Sequence, residues 1–271
     1  MRVIERICII GGGNMGGAIA RGIAGNPDFE AGNLTVTARS AETIEKVASA
    51  CPGIRTSLDN RSAAEGAGLV IIAVKPWQAE DVIKEIRTVL DYGKCTVASV
   101  VAGISFSSLE GMFRKDTDSR GPGCPGLMRI IPNTAVAVGK STTFISGCNV
   151  NDSVREDVVA LFSRMGEVIE VPEEMMAAGT SLASCGIAYA LKYLDAAIKG
   201  GVEIGFGENE SRKIVLNTMK GALALLDACG TMPQQEIDKV TTPGGYTFRG
   251  LEAMEDAGFS KAVLSGLEKS L

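Results

Sequence analysis

A short segment near the end of the chain combines residue types that could bind an acid group. Its residues are Thr242, Pro243, Gly244, Gly245, Tyr246 and Thr247. Proline fixes its own φ and glycine adopts angles closed to other residues, so the segment predicts a tight turn that presents free N–H groups at a helix N-terminus. Such a place suits a carboxylate, and Thr247, at or near the N-cap, adds a hydroxyl. The alternative interpretation is that the turn ends one helix and Thr247 caps the next.

A second chemical pattern lies at the start of the chain, directly after a strand pattern over Val3–Ile10. It has the form G-x-G-x-x-G and comprises Gly11, Gly13, Asn14, Met15 and Gly16. A turn of this kind between a strand and a helix lets the backbone approach a pyrophosphate and lets the helix pack closely on the strand. Because the motif stands in that context, it predicts a dinucleotide site.

The second strand pattern, Leu34–Ala38, bears on which dinucleotide is bound. In NAD enzymes an acidic residue about 20 positions beyond the glycines holds the ribose 2′-hydroxyl. Here Arg39 and Ser40 follow the strand, and the first carboxylate is Glu42. Arg39 and Ser40 can bind a 2′-phosphate through charge-assisted and hydroxyl hydrogen bonds, which favours NADP(H) over NAD(H). The alternative is a solvated arginine in an ordinary loop.

Further strand ends are expected to line the same cofactor, because ligands of open parallel sheets bind at the carboxyl edge. The Leu69–Val74 strand pattern runs into Lys75 and Pro76, where proline should stop the strand and start a cofactor-facing loop. Lys75 could equally be an ordinary exposed lysine. The cofactor-lining candidates at these strand ends are Ala73, Val74, Lys75, Pro76, Ala102 and Asn133.

Composition narrows the classes of function. The chain has 271 residues, a net charge of −5 and no clustered basic residues, which argues against nucleic acid as a partner. No apolar run approaches the roughly 20 residues of a membrane span. The first residues lack a signal-peptide pattern, so we expect a cytoplasmic protein. Seven widely spaced cysteines without C-x-x-C, and no histidine, indicate no metal site.

The order of elements predicts two domains. Strand and helix patterns alternate up to Pro172, which is typical of a doubly wound α/β (Rossmann-type) domain over 1–172. The polar, Gly/Pro-rich segment 114–126 is expected to be an exposed, mobile loop. Residues 173–271 predict an all-helical domain that begins with a long helix over Met175–Phe206, and the pattern allows an interruption in it. This helix has few charges, and either a partner subunit or its own domain could cover it.

The chain resembles the pyrroline-5-carboxylate reductase family over nearly its whole length. The segments that carry the resemblance are Gly11–Gly16, Ala73–Pro76, Arg129–Thr134 and Thr242–Thr247, and the last is the most specific. The resemblance implies that Thr247 contacts the ring nitrogen of the substrate. It also implies that Thr242, Gly244, Gly245 and the Tyr246 amide surround the substrate carboxylate, and that Asn60 touches the cofactor ribose. The resemblance also implies a homodimer through the C-terminal helices, which in the family often assembles further into a ring of dimers.

Two residues depart from the family pattern. Ile187 stands where the family commonly has proline, and Ala135 replaces a proline that usually follows Asn133-Thr134. We expect these changes to alter pocket shape and substrate range more than the type of reaction.

The predicted reaction is the NADPH-dependent reduction of L-1-pyrroline-5-carboxylate to L-proline. Hydride reduction of a ketone leaves an alkoxide that needs a strong proton donor, whereas a cyclic imine can arrive protonated from water. The absence of histidine is compatible with such a reaction. One alternative is a β-hydroxyacid or 6-phosphogluconate-type dehydrogenase, although Ala190 occupies the position of its catalytic lysine and Lys192 is out of register. The other alternative is a non-catalytic NADPH-binding regulator.

Overall fold

The computed structural model describes residues 4–115 and 123–271. The chain divides into two compact units, Met1–Ser184 (unit 1) and Cys185–Leu271 (unit 2). Most of the predicted loop over 114–126 lies outside the described residues, so its exposure and mobility remain predictions. Among the helices that are described, none is long and apolar enough to cross a membrane.

Unit 1 is built on one sheet of eight strands in the order β3-β2-β1-β4-β5-β6-β7-β8. Neighbouring strands are parallel except β6 and β7, which are antiparallel. The strands are β1 Ile7–Ile10, β2 Leu34–Thr37, β3 Arg55–Ser57, β4 Leu69–Ile72, β5 Thr96–Ser99, β6 Gly126–Ile131, β7 Ser141–Cys148 and β8 Gly166–Glu170. All residues of β1, β4 and β5 are buried, as expected of parallel strands with helices on both faces.

Helices connect these strands and supply two apolar layers, one on each face of the sheet. The α-helices of unit 1 are α1 Asn14–Ala24, α2 Ala41–Ala50, α3 Asn60–Ala64, α4 Pro76–Ile86, α5 Phe106–Phe113, α6 Asp152–Ser163 and α7 Met176–Gly179. Alternate residues of β1 face opposite layers, since Ile7 and Ile9 belong to one core cluster and Cys8 and Ile10 to the other.

Shorter helical turns complete the path to unit 2. The 3₁₀ turns span Ala31–Asn33, Thr134–Val138 and Glu173–Met175, and a π-helical segment spans Thr180–Cys185. The α-helices of unit 2 are α8 Gly186–Glu203, α9 Glu208–Cys229, α10 Pro233–Val240, α11 Tyr246–Asp256 and α12 Phe259–Lys269. The predicted fold class, a doubly wound unit followed by an all-helical unit, is confirmed.

Two predicted boundaries differ from those in the structure. The first strand begins at Ile7 within the described residues and not at Val3, because Glu5 and Arg6 are exposed and precede the buried run. The long helix predicted over Met175–Phe206 is interrupted, since 3₁₀, α and π turns occupy its first third before α8 begins. The division into units falls after Ser184, while the domain boundary at 172/173 remains a prediction.

Candidate functional site

The turn between β1 and α1 requires glycine at two positions for steric reasons. Gly11 has φ +106°, and a Cβ there would lie 2.6 Å from the carbonyl oxygen of Ala73. A Cβ on Gly16 would clash with the carbonyl oxygen of Gly11. The first glycine therefore makes the turn and the third lets α1 pack on the strand end, as in a dinucleotide-binding turn.

The N–H groups of this turn differ in whether they have hydrogen-bond partners. Gly11 N and Gly12 N both donate to the carbonyl oxygen of Thr37, at 3.1 and 2.7 Å. The first turn of α1 leaves the N–H groups of Asn14, Met15 and Gly16 without partners inside the helix, and no acidic residue lies in that turn. These donors and the helix dipole together favour an anion at the start of α1.

Gly13 provides a test of whether a dinucleotide fits. It is the N-cap of α1 with φ −68°, an angle open to any residue, and a Cβ built on it would meet no protein atom within 4 Å. Neither backbone strain nor packing in the described chain thus requires glycine here. Open space beside unpaired N–H groups is what a pyrophosphate needs, so the residues present fit this group.

Arg39 and Ser40 lie between β2 and α2. Ser40 is the N-cap of α2, and its Oγ accepts a hydrogen bond from Thr43 N at 3.3 Å. Arg39 is exposed, and in the described part of the chain no carboxylate lies within ion-pair distance of its guanidinium. An unpaired cation beside a helix N-terminus is suited to a phosphate, although the assignment of these two residues to a 2′-phosphate remains a prediction.

The β4–α4 connection differs from the predicted loop. Ala73 and Val74 follow β4 directly and lie beside Gly11. Lys75 is then the N-cap of α4, and Pro76 is its first residue. Pro76 begins a helix because its fixed φ suits the first helical position and its missing N–H would have had no partner there. Pro76 therefore starts no loop, and its contact with the cofactor remains a prediction.

Ala102 and Asn133 also lie beyond strand ends on the carboxyl edge, after β5 and β6. The Asn133 side chain is nearly buried and has several partners. Its Oδ1 accepts from Ala135 N at 3.0 Å, and its Nδ2 donates to the carbonyl oxygen of Ala183 at 3.5 Å. These hydrogen bonds give Asn133 a capping role, and its assignment to the cofactor remains a prediction.

Asn60 is the first residue of α3 and connects three elements. Its Oδ1 accepts from the hydroxyl of buried Thr37 at 2.6 Å, and its Nδ2 donates to Glu85 of α4 at 2.9 Å. Asp59, the N-cap of α3, has its pKa lowered by hydrogen bonds from Ser62. Asn60 thus holds α3 and α4 against the end of β2. Its contact with a ribose remains a prediction.

Two further residues at this edge, Glu85 and Gln78, contact residues that the sequence had indicated. Glu85 pairs with Asn60, and Gln78 lies close to Arg39. Neither has a motif, and only the strand order brings them to these partners. The sole tryptophan, Trp77, is also here, on the first turn of α4, and is 76 % exposed.

In unit 2, the late turn connects α10 to α11. Gly245 N donates to the carbonyl oxygen of Thr242 at 2.9 Å, and Gly244 has φ +70°. Proline followed by a left-handed glycine is typical of a type II turn. A Cβ on Gly245 would lie 2.5 Å from Thr242 Oγ1, so glycine is needed for the close approach. The predicted tight turn is therefore present.

The N-cap of α11 is Gly245, and Thr247 is the second residue of the helix and not its cap. The reason is that the type II turn ends at Gly245, so the helix starts one residue later, at Tyr246. The N–H groups of Tyr246, Thr247 and Phe248 have no partners inside the helix, whereas Gly245 N is used by the turn. Thr247 is exposed, and its hydroxyl has no partner in the part of the chain that the structure describes. This end of α11 can bind an anion and donate a hydroxyl hydrogen bond.

Comparisons with known proteins agree on both units. Residues 173–271 match the family model described as pyrroline-5-carboxylate reductase dimerisation, and residues 6–103 match that of NADP oxidoreductase coenzyme F420-dependent. Pyrroline-5-carboxylate reductase 2 of Dictyostelium discoideum is 30 % identical over 279 residues, covering 98 % of this chain and 91 % of the relative.

Two further proteins extend this likeness. Pyrroline-5-carboxylate reductase 1 of the same organism is 32 % identical over 276 residues, covering 97 % of this chain, which spans about half (48 %) of that relative's length. The crystal structure of the Plasmodium falciparum pyrroline carboxylate reductase with NADP bound has a TM-score of 0.88 and 26 % identity, covering 100 % of this chain and 96 % of that one.

Proposed function

Since the chain belongs to the pyrroline-5-carboxylate reductase family, we propose that it reduces L-1-pyrroline-5-carboxylate to L-proline with NADPH, the last step of proline biosynthesis. The observation that carries the proposal is the turn before α11, where unpaired N–H groups and a free hydroxyl follow one another within the matched segment 173–271. An amino-acid product with a ring nitrogen and a carboxylate needs both kinds of contact.

In unit 1 the chain binds and orients the dinucleotide. The N–H groups of Asn14, Met15 and Gly16 bind the pyrophosphate, Gly13 leaves room for it, and Arg39 with Ser40 binds the 2′-phosphate. When bound, NADPH supplies the hydride for the C=N carbon. NADH can serve as well, since the pyrophosphate contacts are common to both dinucleotides.

In unit 2 the turn binds the substrate. The N–H groups of Tyr246 and Thr247 bind its carboxylate, while Thr242, Gly244 and Gly245 shape the turn that presents them. The Thr247 hydroxyl contacts the ring nitrogen. Because the imine takes its proton from water before it is reduced, the residue at the nitrogen has to orient the ring and need not be a strong acid. A threonine can do this in a chain without histidine.

The two alternative functions are not favoured. The hydroxyacid-dehydrogenase hypothesis needs a lysine on the first turns of α8, where Ala190 stands, and Lys192 lies 4.0 Å from Asp195. A regulator without turnover would not need the free Thr247 hydroxyl. Ile187 and Ala135, the departures from the family pattern, affect the range of imino acids that are accepted.

The assembly that accompanies this function is a homodimer through the C-terminal helices, which can assemble further into a ring of dimers. No residue of α8 is buried within the single chain, and Leu191, Ile204, Leu223 and Leu264 are among the exposed apolar side chains of unit 2. Light scattering coupled to size exclusion would give twice the 28.2 kDa chain mass, or a multiple of that dimer. A cytoplasmic location also belongs to the proposal.

The activity is tested by following nicotinamide absorbance with NADPH and pyrroline-5-carboxylate, and in reverse with L-proline at high pH. Oxidation of a hydroxyacid but not of proline would favour the dehydrogenase. Cofactor binding with neither reaction would favour the regulator.

Gly13→Ala tests the dinucleotide site separately from folding. A Cβ at this position meets no protein atom within 4 Å, so the melting temperature should not fall, while NADPH binding should weaken by about tenfold or more because the methyl group occupies ligand space. Gly111→Ala is the matched control, since it also meets no protein atom but lies in α5. Equal NADPH affinities for both variants would contradict the assignment.

A further inference from the structure

Arg39 and Gln78 connect two loops on either side of the glycine turn. Arg39 follows β2, Gln78 lies in the first turn of α4 after β4, and both strands flank β1 in the sheet. With its carboxamide oxygen turned toward Arg39, Gln78 accepts hydrogen bonds from Nη1 at 2.6 Å and Nη2 at 3.3 Å. The contact therefore spans the end of β1, where Gly11 begins the pyrophosphate-binding turn.

The same carboxamide oxygen has one competing partner. In the opposite orientation it accepts from Lys75 N at 3.3 Å, and the Gln78 amide nitrogen then faces the guanidinium, donor against donor. A short hydrogen bond from a charged donor is about twice as strong as one between neutral groups. The Lys75 N–H is at an exposed helix end, where water can replace the side chain. Turning the oxygen toward Arg39 puts the Gln78 amide nitrogen near the Lys75 N–H, but that contact is the longer one, at 3.3 Å. The orientation toward Arg39 is therefore the more stable one.

We propose that Gln78 is the positioning residue that holds the Arg39 guanidinium for the 2′-phosphate and so sets the preference of this chain for NADPH over NADH. The inference rests on the proposed function, because it takes the dinucleotide to bind at the glycine turn. Gln78 itself contacts Arg39, and the guanidinium is the group that contacts the phosphate.

The physical basis is the conformational freedom of an exposed arginine side chain. Its side chain must lose rotamer freedom when it binds an anion, and a neutral acceptor that already fixes the guanidinium removes part of that cost. A guanidinium has five N–H donors, so two can go to Gln78 while others stay available to a phosphate. Gln78 adds no negative charge, and the site keeps its attraction for the 2′-phosphate.

A double-mutant cycle tests the inference. The dissociation constants of NADPH and NADH are measured by calorimetry at fixed ionic strength for wild type, Gln78→Leu, Arg39→Ala and the double variant. We expect Gln78→Leu to raise the dissociation constant of NADPH about fivefold with little effect on that of NADH, since a hydrogen bond to a charged group is lost. In the Arg39→Ala background, Gln78→Leu should have no further effect on the ratio of the two constants.

If Gln78 only stabilises α4, Gln78→Leu would weaken the binding of NADPH and of NADH by the same factor, and this result would overturn the inference. So would an equal drop in the ratio with and without Arg39, or a wild-type chain that binds both dinucleotides equally well. If the wild type binds neither dinucleotide, both the proposed function and the inference are contradicted.

Gln78→Glu provides a second variant in case Gln78→Leu does not fold. An acidic side chain is favourable in the first turn of a helix, so α4 should form. Its charge would pair with Arg39 and repel the 2′-phosphate. The binding of NADPH should therefore again be weakened more than the binding of NADH. An unchanged preference in this variant would overturn the inference as well.

Discussion

The Thr247 hydroxyl is exposed on the first turn of α11 and makes no hydrogen bond within the described part of the chain, so its removal should cost little stability. We expect Thr247→Val to lower kcat by about tenfold or more, because it removes the hydroxyl that we propose to orient the imine through a hydrogen bond to the ring nitrogen. Steady-state kinetics with pyrroline-5-carboxylate would measure the loss.

Thr247→Ser is the matched variant, since it keeps the hydroxyl and should keep most of the turnover. The affinity for NADPH, measured by calorimetry, should be the same in both variants because Thr247 is assigned to the substrate. Full turnover in Thr247→Val would remove the assigned role.

At the residue scale, the sequence predicted what depends on local chain geometry. Gly11 and Gly16 were identifiable because strand, turn and helix follow one another in the sequence, and the structure places both in contacts that a Cβ would obstruct. Gln78 and Glu85 were not identifiable. Their partners, Arg39 and Asn60, are 39 and 25 positions away and approach only when β4 lies beside β1.

The packing of α8 against α9 depends on one of two adjacent glycines. A Cβ on Gly201 would clash with Ser211, which is buried and donates to the carbonyl oxygen of Ile198 at 2.7 Å. A Cβ on Gly200 would meet no protein atom within 4 Å. We expect Gly201→Ala to lower the free energy of unfolding by about 1–3 kcal/mol through overpacking.

Gly200→Ala is the neighbouring control and should be neutral or stabilising by up to about 1 kcal/mol, since alanine favours a helix over glycine. Chemical denaturation of both variants would measure the difference. Equal effects would mean that the helices do not pack at this position.

At the element scale, the π-helical segment shows where sequence patterns are insufficient. The apolar pattern over Met175–Phe206 predicts one long helix and allows an interruption, but it does not show where the interruption lies. In the structure, side chains in the first third of this segment bind carbonyl oxygens. The Thr180 hydroxyl donates to Met176 at 2.7 Å and the Ser184 hydroxyl to Pro132 at 3.2 Å. Such side chains compete with the helical backbone, and π turns often accompany them at functional sites. Gly205, with φ +112°, then follows the end of α8.

The antiparallel pairing of β6 with β7 was, by contrast, open to prediction. The connection between them contains only the 3₁₀ turn Thr134–Val138. A parallel crossover needs a dozen or more residues, usually including a helix, so a connection of this length requires an antiparallel partner.

For the whole molecule, two buried thiols should make stability depend on alkaline pH. Burial raises the pKa of Cys8 and of Cys95 to about 12, from a model-compound value of 9.0. Between pH 9 and 12 the unfolded chain loses these protons while the folded chain keeps them. The free energy of unfolding therefore falls as pH rises through this window, by about 1.4 kcal/mol per pH unit for each thiol.

Urea denaturation of wild type and Cys8→Ala at several pH values above 9 would measure this dependence. All other ionisable groups are common to both proteins, so the relevant quantity is the difference between the two slopes. The variant should lose stability less steeply, and parallel curves would show that the Cys8 thiol does not contribute.

Trp77 gives this chain an optical property that follows from where its indole lies. It is the sole tryptophan, it is largely exposed, and it stands one position before the residue that contacts Arg39. Its indole emission therefore originates at the carboxyl edge of the sheet of unit 1, where we propose that the dinucleotide binds. Titration with dinucleotide should change the intensity or wavelength of that emission without any attached dye, and reduced nicotinamide, which absorbs in the same spectral region, should accept the excitation energy directly.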